Sequence, residues 1–307
     1  MLYDLSLTLE NNYASSTDNA RNVIRILPPT LPGQQQLISG QIDISPSPDE
    51  RIDRTDFFGN FVTEVAFRHP LTALTVTLKA RVARGARALV MDLSPPLNGL
   101  RQELQSSTDL TPASPLHYLT ASPRVTLDRP FRDFADDTVT ATMTALQAVQ
   151  AVGLRLHREM TFDATATDVD TPPAQAFKNR HGVCQDFSHI MIACLRSMGI
   201  PAGYVSGFLR TTPPEGQERL EGADAMHAWV RAWCGKEVGW VEYDPTNDLL
   251  VGEDHIVVGY GRDYSDVAPL KGVLRTSGGQ TGTHRVDVIP VKEPRDEPMP
   301  PDCTSDI

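Results

Sequence analysis

Leu74, Val76, Leu78, Ala80 and Val82 alternate along the chain with Thr75, Thr77, Lys79 and Arg81. A period of two turns one set of side chains toward a core and the other toward solvent, which predicts a half-buried strand. Ile38, Ile42 and Ile44 share one parity around Gly40, and Phe61 to Phe67 is a further β-rich run. Pro46-Ser47-Pro48 and Phe58-Gly59-Asn60 supply turns. Residues 1–85 are therefore expected to form a small antiparallel β-sandwich.

Residues 86–135 are rich in Pro and Ser and have no dominant period. The spacing then becomes helical: Val139, Met143, Leu146, Val149, Val152 and Leu156 fall on one stripe behind Asp136 and Asp137, whose carboxylates suit a helix start. Thr171 and Pro172 read as the N-cap and first residue of a short helix running to about Arg180. His181-Gly182-Val183 breaks that helix, and a more apolar one opens at Cys184. Its buried stripe is Phe187, Ile190, Met191, Cys194, Leu195 and Met198, and Gly199 with Pro201 gives the stop. From Ala202 to Leu209, and again from Met226, the residues become β-like, with a polar loop from Pro213 to Asp224 between them. Helix first and strands later predicts an α+β unit and not a repeating βαβ unit.

Composition narrows the function classes. The chain has 307 residues, 40% hydrophobic and 22% charged, enough for two domains. A net charge of −11 without any run of Lys or Arg argues against a nonspecific hold on nucleic acid or an anionic membrane. The first ten residues lack the basic segment and continuous apolar run of a secretory signal, and no stretch approaches the roughly 20 apolar residues of a membrane span. Cys184, Cys194, Cys234 and Cys303 are sparse and irregularly spaced, so no disulfide framework is expected and a cytoplasmic location is the simpler expectation. The oligomeric state is left open.

Among these cysteines Cys184 stands apart. A helix N-terminus favours thiolate over thiol, and an imidazolium nearby does the same. Cys184 has the first device by position, whereas Cys194 belongs to the buried stripe. His227 lies in the alternating run from Asp224 to Trp233, on the same face as Trp229 and Arg231. Asp244 closes the strand Trp240-Val241-Glu242-Tyr243-Asp244, which Pro245 ends. A two-residue turn at Gly235-Lys236 sets His227 directly opposite Asp244, and any unbulged hairpin with an even loop keeps both on one face. A carboxylate there fixes the tautomer and orientation of the imidazole. A metal site built from Cys184, His227 and Asp244, with His181, lacks the paired spacing of zinc ligands, and no cofactor is expected. Gln185, Asp186, His181 and His189 read as structural, as do Arg262, Asp263 and Tyr264, and Trp229, Trp233 and Trp240 read as core before they read as cleft walls.

Gly182-Val183-Cys184-Gln185-Asp186-Phe187-Ser188-His189, then His227-Ala228-Trp229-Val230, then Trp240-Val241-Glu242-Tyr243-Asp244-Pro245-Thr246 resemble the three core motifs of the transglutaminase-like superfamily, in that family's order. His255-Ile256-Val257-Val258, Gly261-Arg262-Asp263-Tyr264-Ser265-Asp266-Val267 and the β-rich first 85 residues are similar to flanking parts of its bacterial members. The resemblance implies a papain-like α+β catalytic domain over residues 86–290, behind the β-domain of residues 1–85, while residues 291–307, dense in Pro, Asp and Glu, are expected to be a flexible acidic tail. It also implies Cys184, His227 and Asp244 as catalytic residues acting on an amide in a protein or peptide substrate through a thioester. Proteolysis is preferred over crosslinking, and a noncatalytic binding module on the same fold is the alternative.

Overall fold

A computed structural model of the chain describes residues 1–85, 91–211, 224–275 and 278–291. The acidic tail and most of the polar loop expected at 213–224 lie outside the described residues.

The first 85 residues supply β1 (Leu2–Ile24), β2 (Gln35–Ser45), β3 (Glu50–Thr55), β4 (Phe61–Phe67) and β5 (Leu71–Arg84). In β5 the predicted apolar set, Leu74, Val76, Leu78, Ala80 and Val82, is buried. β1 buries odd positions at its start (Tyr3, Leu5, Leu7, Leu9) and even positions at its end (Ala20, Asn22, Ile24). The parity changes around a bulge that includes Asn19, at φ 49°, and there the register shifts. An inserted residue bends a strand and turns its later side chains over, so β1 leaves one sheet and enters another. Its first half pairs with β5 and its second half with β4, and β2 and β3 flank those partners, all antiparallel. A second bulge, between Leu37 and Ser39, takes Ile38 out of the expected parity. Ile42 is buried and Ile38 is 53% exposed.

The remainder comprises α1 (Leu97–Gln105), α2 (Arg129–Asp136), α3 (Ala145–Glu159), β6 (Thr161–Phe162), α4 (Pro173–Asn179), β7 (His181–Gly182), α5 (Cys184–Ser197), β8 (Ala202–Leu209), β9 (Ala225–Trp233), β10 (Trp240–Asp244), β11 (Leu249–Leu250), β12 (His255–Gly261), α6 (Tyr264–Val267), β13 (Leu270–Arg275) and β14 (Gln280–Pro290). The helix expected behind Asp136 and Asp137 starts later than expected, at Ala145, so Val139 and Met143 lie in the connection before it. Asp136 ends α2, and α3 starts at a capping box in which the Thr144 hydroxyl accepts from Gln147 N–H while the Gln147 side chain accepts from Thr144 N–H. Two satisfied end groups fix the start more firmly than two aspartates do. α4 begins one residue later than expected, with Pro172 as its N-cap.

α5 is buried nearly all round, from Gln185 to Arg196, including the polar Ser188, His189 and Arg196. Strands β11, β10, β9, β8 and β12 form a five-stranded antiparallel sheet in that order. Ala202, Tyr204, Ala228, Val230 and Ala232 of that sheet share one core with α5, α2, α3 and α4. Phe208, Ile256 and Val258 join a second core with Leu5, Leu7, Leu78 and Val82, so the sheet also packs against the β-rich region.

Strand pairing crosses the division expected between residues 1–85 and 86–290. β13 and β14 hydrogen-bond to β1, along Ile24↔Leu270 to Asp18↔Arg275 and along Tyr3↔Pro290 to Tyr13↔Gln280. Both halves of β1 have an edge that β4 and β5 leave unpaired, and an uncovered edge is costly or sticky. The end of the chain returns to cover it, burying Val286 and Val288.

Candidate active site

Cys184 is the first residue of α5, behind the N-cap Val183 (φ −101°, ψ 177°). Among the first four N–H groups, which a helix leaves without intrahelical acceptors, its own lies beside its sulfur. The Asp186 carboxylate, at N3, accepts from Val183 N–H at 2.8 Å and from the Thr167 hydroxyl at 2.6 Å. Its role is to fix the loop that presents the cysteine. Burial pushes the Asp186 carboxyl up, against these hydrogen bonds.

β9 and β10 bring in the other two residues. Their connection is a four-residue loop, closed by Cys234 N–H donating to Gly239 O at 2.9 Å, and not the two-residue turn expected at Gly235-Lys236. Gly235 and Gly239 sit at φ 91° and 73°, a region where other residues are strained, and this places the turn between them. Trp240 therefore faces Trp233 and Tyr243 faces Val230, so His227 is a diagonal neighbour of Asp244 and not directly opposite. The same-face expectation holds because the loop keeps an even length. His227 Nε2 lies 2.7 Å from Asp244 Oδ2, and His227 lines the same cleft as Cys184.

Asp244 is fully buried and saturated. Oδ1 accepts from the N–H groups of Thr246 (2.9 Å) and Asn247 (3.3 Å), and Oδ2 accepts from the Asn247 side chain (2.7 Å) and from two histidines. The second histidine is His255, with Nε2 at 3.1 Å. A carboxyl that buried is driven up by desolvation. Here the hydrogen bonds from His227, His255 and Asn247, with the charge on His227, hold it well below the usual carboxylate range. An ionised carboxylate only accepts, so both imidazoles present Nε2–H to it. Desolvation by itself lowers His227, but the hydrogen bond to Asp244, the nearby Cys184 side chain and the Asp244 charge outweigh it and raise the ring to about 10.

His255 was carried in the sequence only as part of a flanking motif, with no role. It opens β12, at the opposite edge of the sheet from β11, and only the path of the chain after Asp244 brings it back to the carboxylate. His227, Asp244 and His255 hold two ring nitrogens and a carboxylate oxygen within 4.8 Å of one another, a donor set that suits a metal. Donors about 2.0–2.2 Å from one zinc stand well over 3 Å apart, whereas Oδ2 lies 2.7 and 3.1 Å from the two nitrogens. The trio is arranged as a hydrogen-bond network.

Other residues weighed in the sequence take structural places. Trp229 is fully buried and donates to Glu242 at 2.9 Å, and Trp233 packs edge-on to Trp240. His189 is buried, accepts from Tyr264 N–H at 3.2 Å, and is pushed down to about 4 by burial. Asp263 caps α6 and accepts from Arg124 N–H at 2.7 Å. Cys194 and Cys234 are buried, Cys303 lies outside the described residues, and Cys184 is half-exposed.

Cys184 and His227 open into a cleft of about 600 Å³. One wall is the α/β core, through Val183, Gln185, Tyr204 and Ala228, and the other is made by β1, β13 and β14. That is the size of a pocket that encloses a small molecule or a few residues of a peptide.

A helix that opens on a cysteine and packs on an antiparallel sheet carrying a histidine and an aspartate defines a papain-like core. The chain belongs to the transglutaminase-like superfamily: the model of that superfamily matches residues 132–245, and the bacterial transglutaminase-like N-terminal region matches residues 3–83. It is 33% identical over 300 residues to the uncharacterized protein Rv2569c of Mycobacterium tuberculosis, covering 94% of this chain and 90% of that one. ML0607 of Mycobacterium leprae is 34% identical over 229 residues, 73% of this chain and 76% of its own. The fold is that of a "putative cysteine protease" from Cytophaga hutchinsonii, with a TM-score of 0.73 at 17% identity, covering 96% of this chain and 92% of the other.

Proposed function

We propose that this protein is a thiol-dependent amide-bond hydrolase of the cysteine-protease type, working through a thioester on Cys184. One observation carries the reading: Cys184 and His227, from separate segments, line one cleft, and the His227 ring is hydrogen-bonded to the buried Asp244 carboxylate from a third. The Cys184 thiolate attacks the amide carbonyl carbon. His227 gives its proton to the departing nitrogen as the C–N bond breaks. Water, deprotonated by His227, then attacks the thioester and frees Cys184. Asp244 holds the ring and stabilises its charged form. The backbone N–H of Cys184, at a helix N-terminus, is a donor for the oxyanion.

The test needs no known substrate. Cys184 is expected to be alkylated by iodoacetamide at mildly acidic pH, before Cys303, whose neighbour Asp302 offers no cation. Buried Cys194 and Cys234 should stay unlabelled. His227→Ala should move labelling of Cys184 to higher pH, read by peptide mapping. Labelling of Cys303 first, or no effect of the His227 change, overturns the reading.

Stability should report the same proton. Because His227 is raised from 6.5 to about 10, its stabilisation is fully present below pH 6.5 and is lost as pH rises through about 10. The gap in melting temperature between the protein and a His227→Gln variant should therefore shrink between those two values. A gap that does not change with pH means the ring is neutral.

A further inference from the structure

The wall of the cleft facing Cys184 has a character of its own. Among the described residues, no Asp, Glu, Lys or Arg lines the cleft, although 22% of the chain is charged. The far wall offers Leu9, Asn11, Leu274 and Thr283, and the near wall Tyr204 and Met226. Apolar surface is thus interleaved with neutral polar groups. Away from the Cys184–His227 pair, a charged side chain entering here would shed water and meet no Asp, Glu, Lys or Arg among the described residues.

Asn22 adds a second observation. It lies in the far wall, is 3% exposed, and its buried Nδ2 has no hydrogen-bond partner, the one such buried side-chain atom among the described cleft residues. It faces Gly272 across the β1–β13 pairing, and a Cβ at Gly272 would fall 2.4 Å from Asn22 Oδ1. A side chain at Gly272 would push the Asn22 amide aside. A buried amide donor without an acceptor is costly, and one in the wall of a binding cleft is completed by a carbonyl oxygen brought by the ligand.

We propose that the cleft selects an uncharged peptide segment around the reacting amide, with Asn22 Nδ2 donating to one of its carbonyl oxygens. The proposal rests on Cys184 as an amide-directed nucleophile. It gives the β-rich region a function, since β1, β13 and β14 become the substrate-selecting wall and the α/β core the reacting one.

Three peptidyl vinyl sulfones of one length, with Leu, Asp or Lys next to the warhead, test it. The readout is the rate of Cys184 modification, followed by mass spectrometry and normalised to the iodoacetamide rate. The Leu probe should react at least roughly ten-fold faster than either charged probe, a conservative figure for desolvating an unpaired charge. Asn22→Leu should slow the Leu probe by roughly ten-fold, the size of one lost hydrogen bond, while iodoacetamide, which is too small to need the wall, is unaffected. Leu274→Arg should speed the Asp probe. Equal rates for the three probes, no effect of Asn22→Leu, or no reaction of any probe while iodoacetamide still labels Cys184, overturns the wall and leaves the nucleophile standing. Failure of iodoacetamide to select Cys184 removes the nucleophile and the wall together.

Discussion

Asp244→Asn is expected to lower kcat/KM about 10⁴-fold, the loss seen when the carboxylate of such a set becomes an amide. The change removes the charge that stabilises the His227 imidazolium, and it also conflicts with the local hydrogen bonds. If the new amide oxygen faces His227 and His255, its NH2 group meets the N–H groups of Thr246 and Asn247, which now donate to Oδ1. If it turns the other way, NH2 meets two ring N–H groups. Either way buried donors lose their acceptor, at about 1–3 kcal/mol each. The variant should therefore melt at a lower temperature as well as turn over slowly on whatever amide substrate is established. Unchanged kinetics after Asp244→Asn would remove the carboxylate from the mechanism. His255→Phe separates the two effects, since it leaves Cys184, His227 and Asp244 in place and deletes one donor to Oδ2.

Truncation after Ala268 is expected to abolish soluble expression. It removes β13 and β14, and so uncovers an edge of β1 along both halves. It also takes Val286 and Val288 out of the core that holds Leu5, Leu7 and Val76. Each fully buried aliphatic side chain is worth about 1.5–3 kcal/mol of transfer free energy, against a total stability of about 5–15 kcal/mol for a typical domain. The open edge would then pair with other copies. A soluble, monomeric chain ending at residue 268 with an unchanged melting temperature would show that the two strands are an accessory.

The site and the fold were legible to different depths. Local pattern fixed the period-two burial of β5, the start of α5 at Cys184 and the shared face of His227 and Asp244. Each depends on neighbours a few residues away: side-chain alternation, helix-breaking residues before a cap, an even loop between two strands. The same logic misplaced Ile38 and the start of α3. A bulge inserts a residue without any signature in composition, and a capping box at Thr144 and Gln147 outweighed the two aspartates that precede it.

What only the tertiary structure decided is non-local. The sequence by itself determined that a cysteine at a helix mouth, a histidine and an aspartate belong to one α+β unit with a β-rich partner. The diagonal register of His227 and Asp244 depended on where two glycines allowed a turn. The second histidine donor to Asp244, His255, comes from the far edge of the sheet, and the strands that complete β1 come from the other end of the chain. The cleft wall follows from them. Periodicity reports which way a side chain points relative to its own strand or helix, but a partner is chosen by which edges and faces the rest of the fold leaves uncovered, and that choice is made only when the whole chain packs.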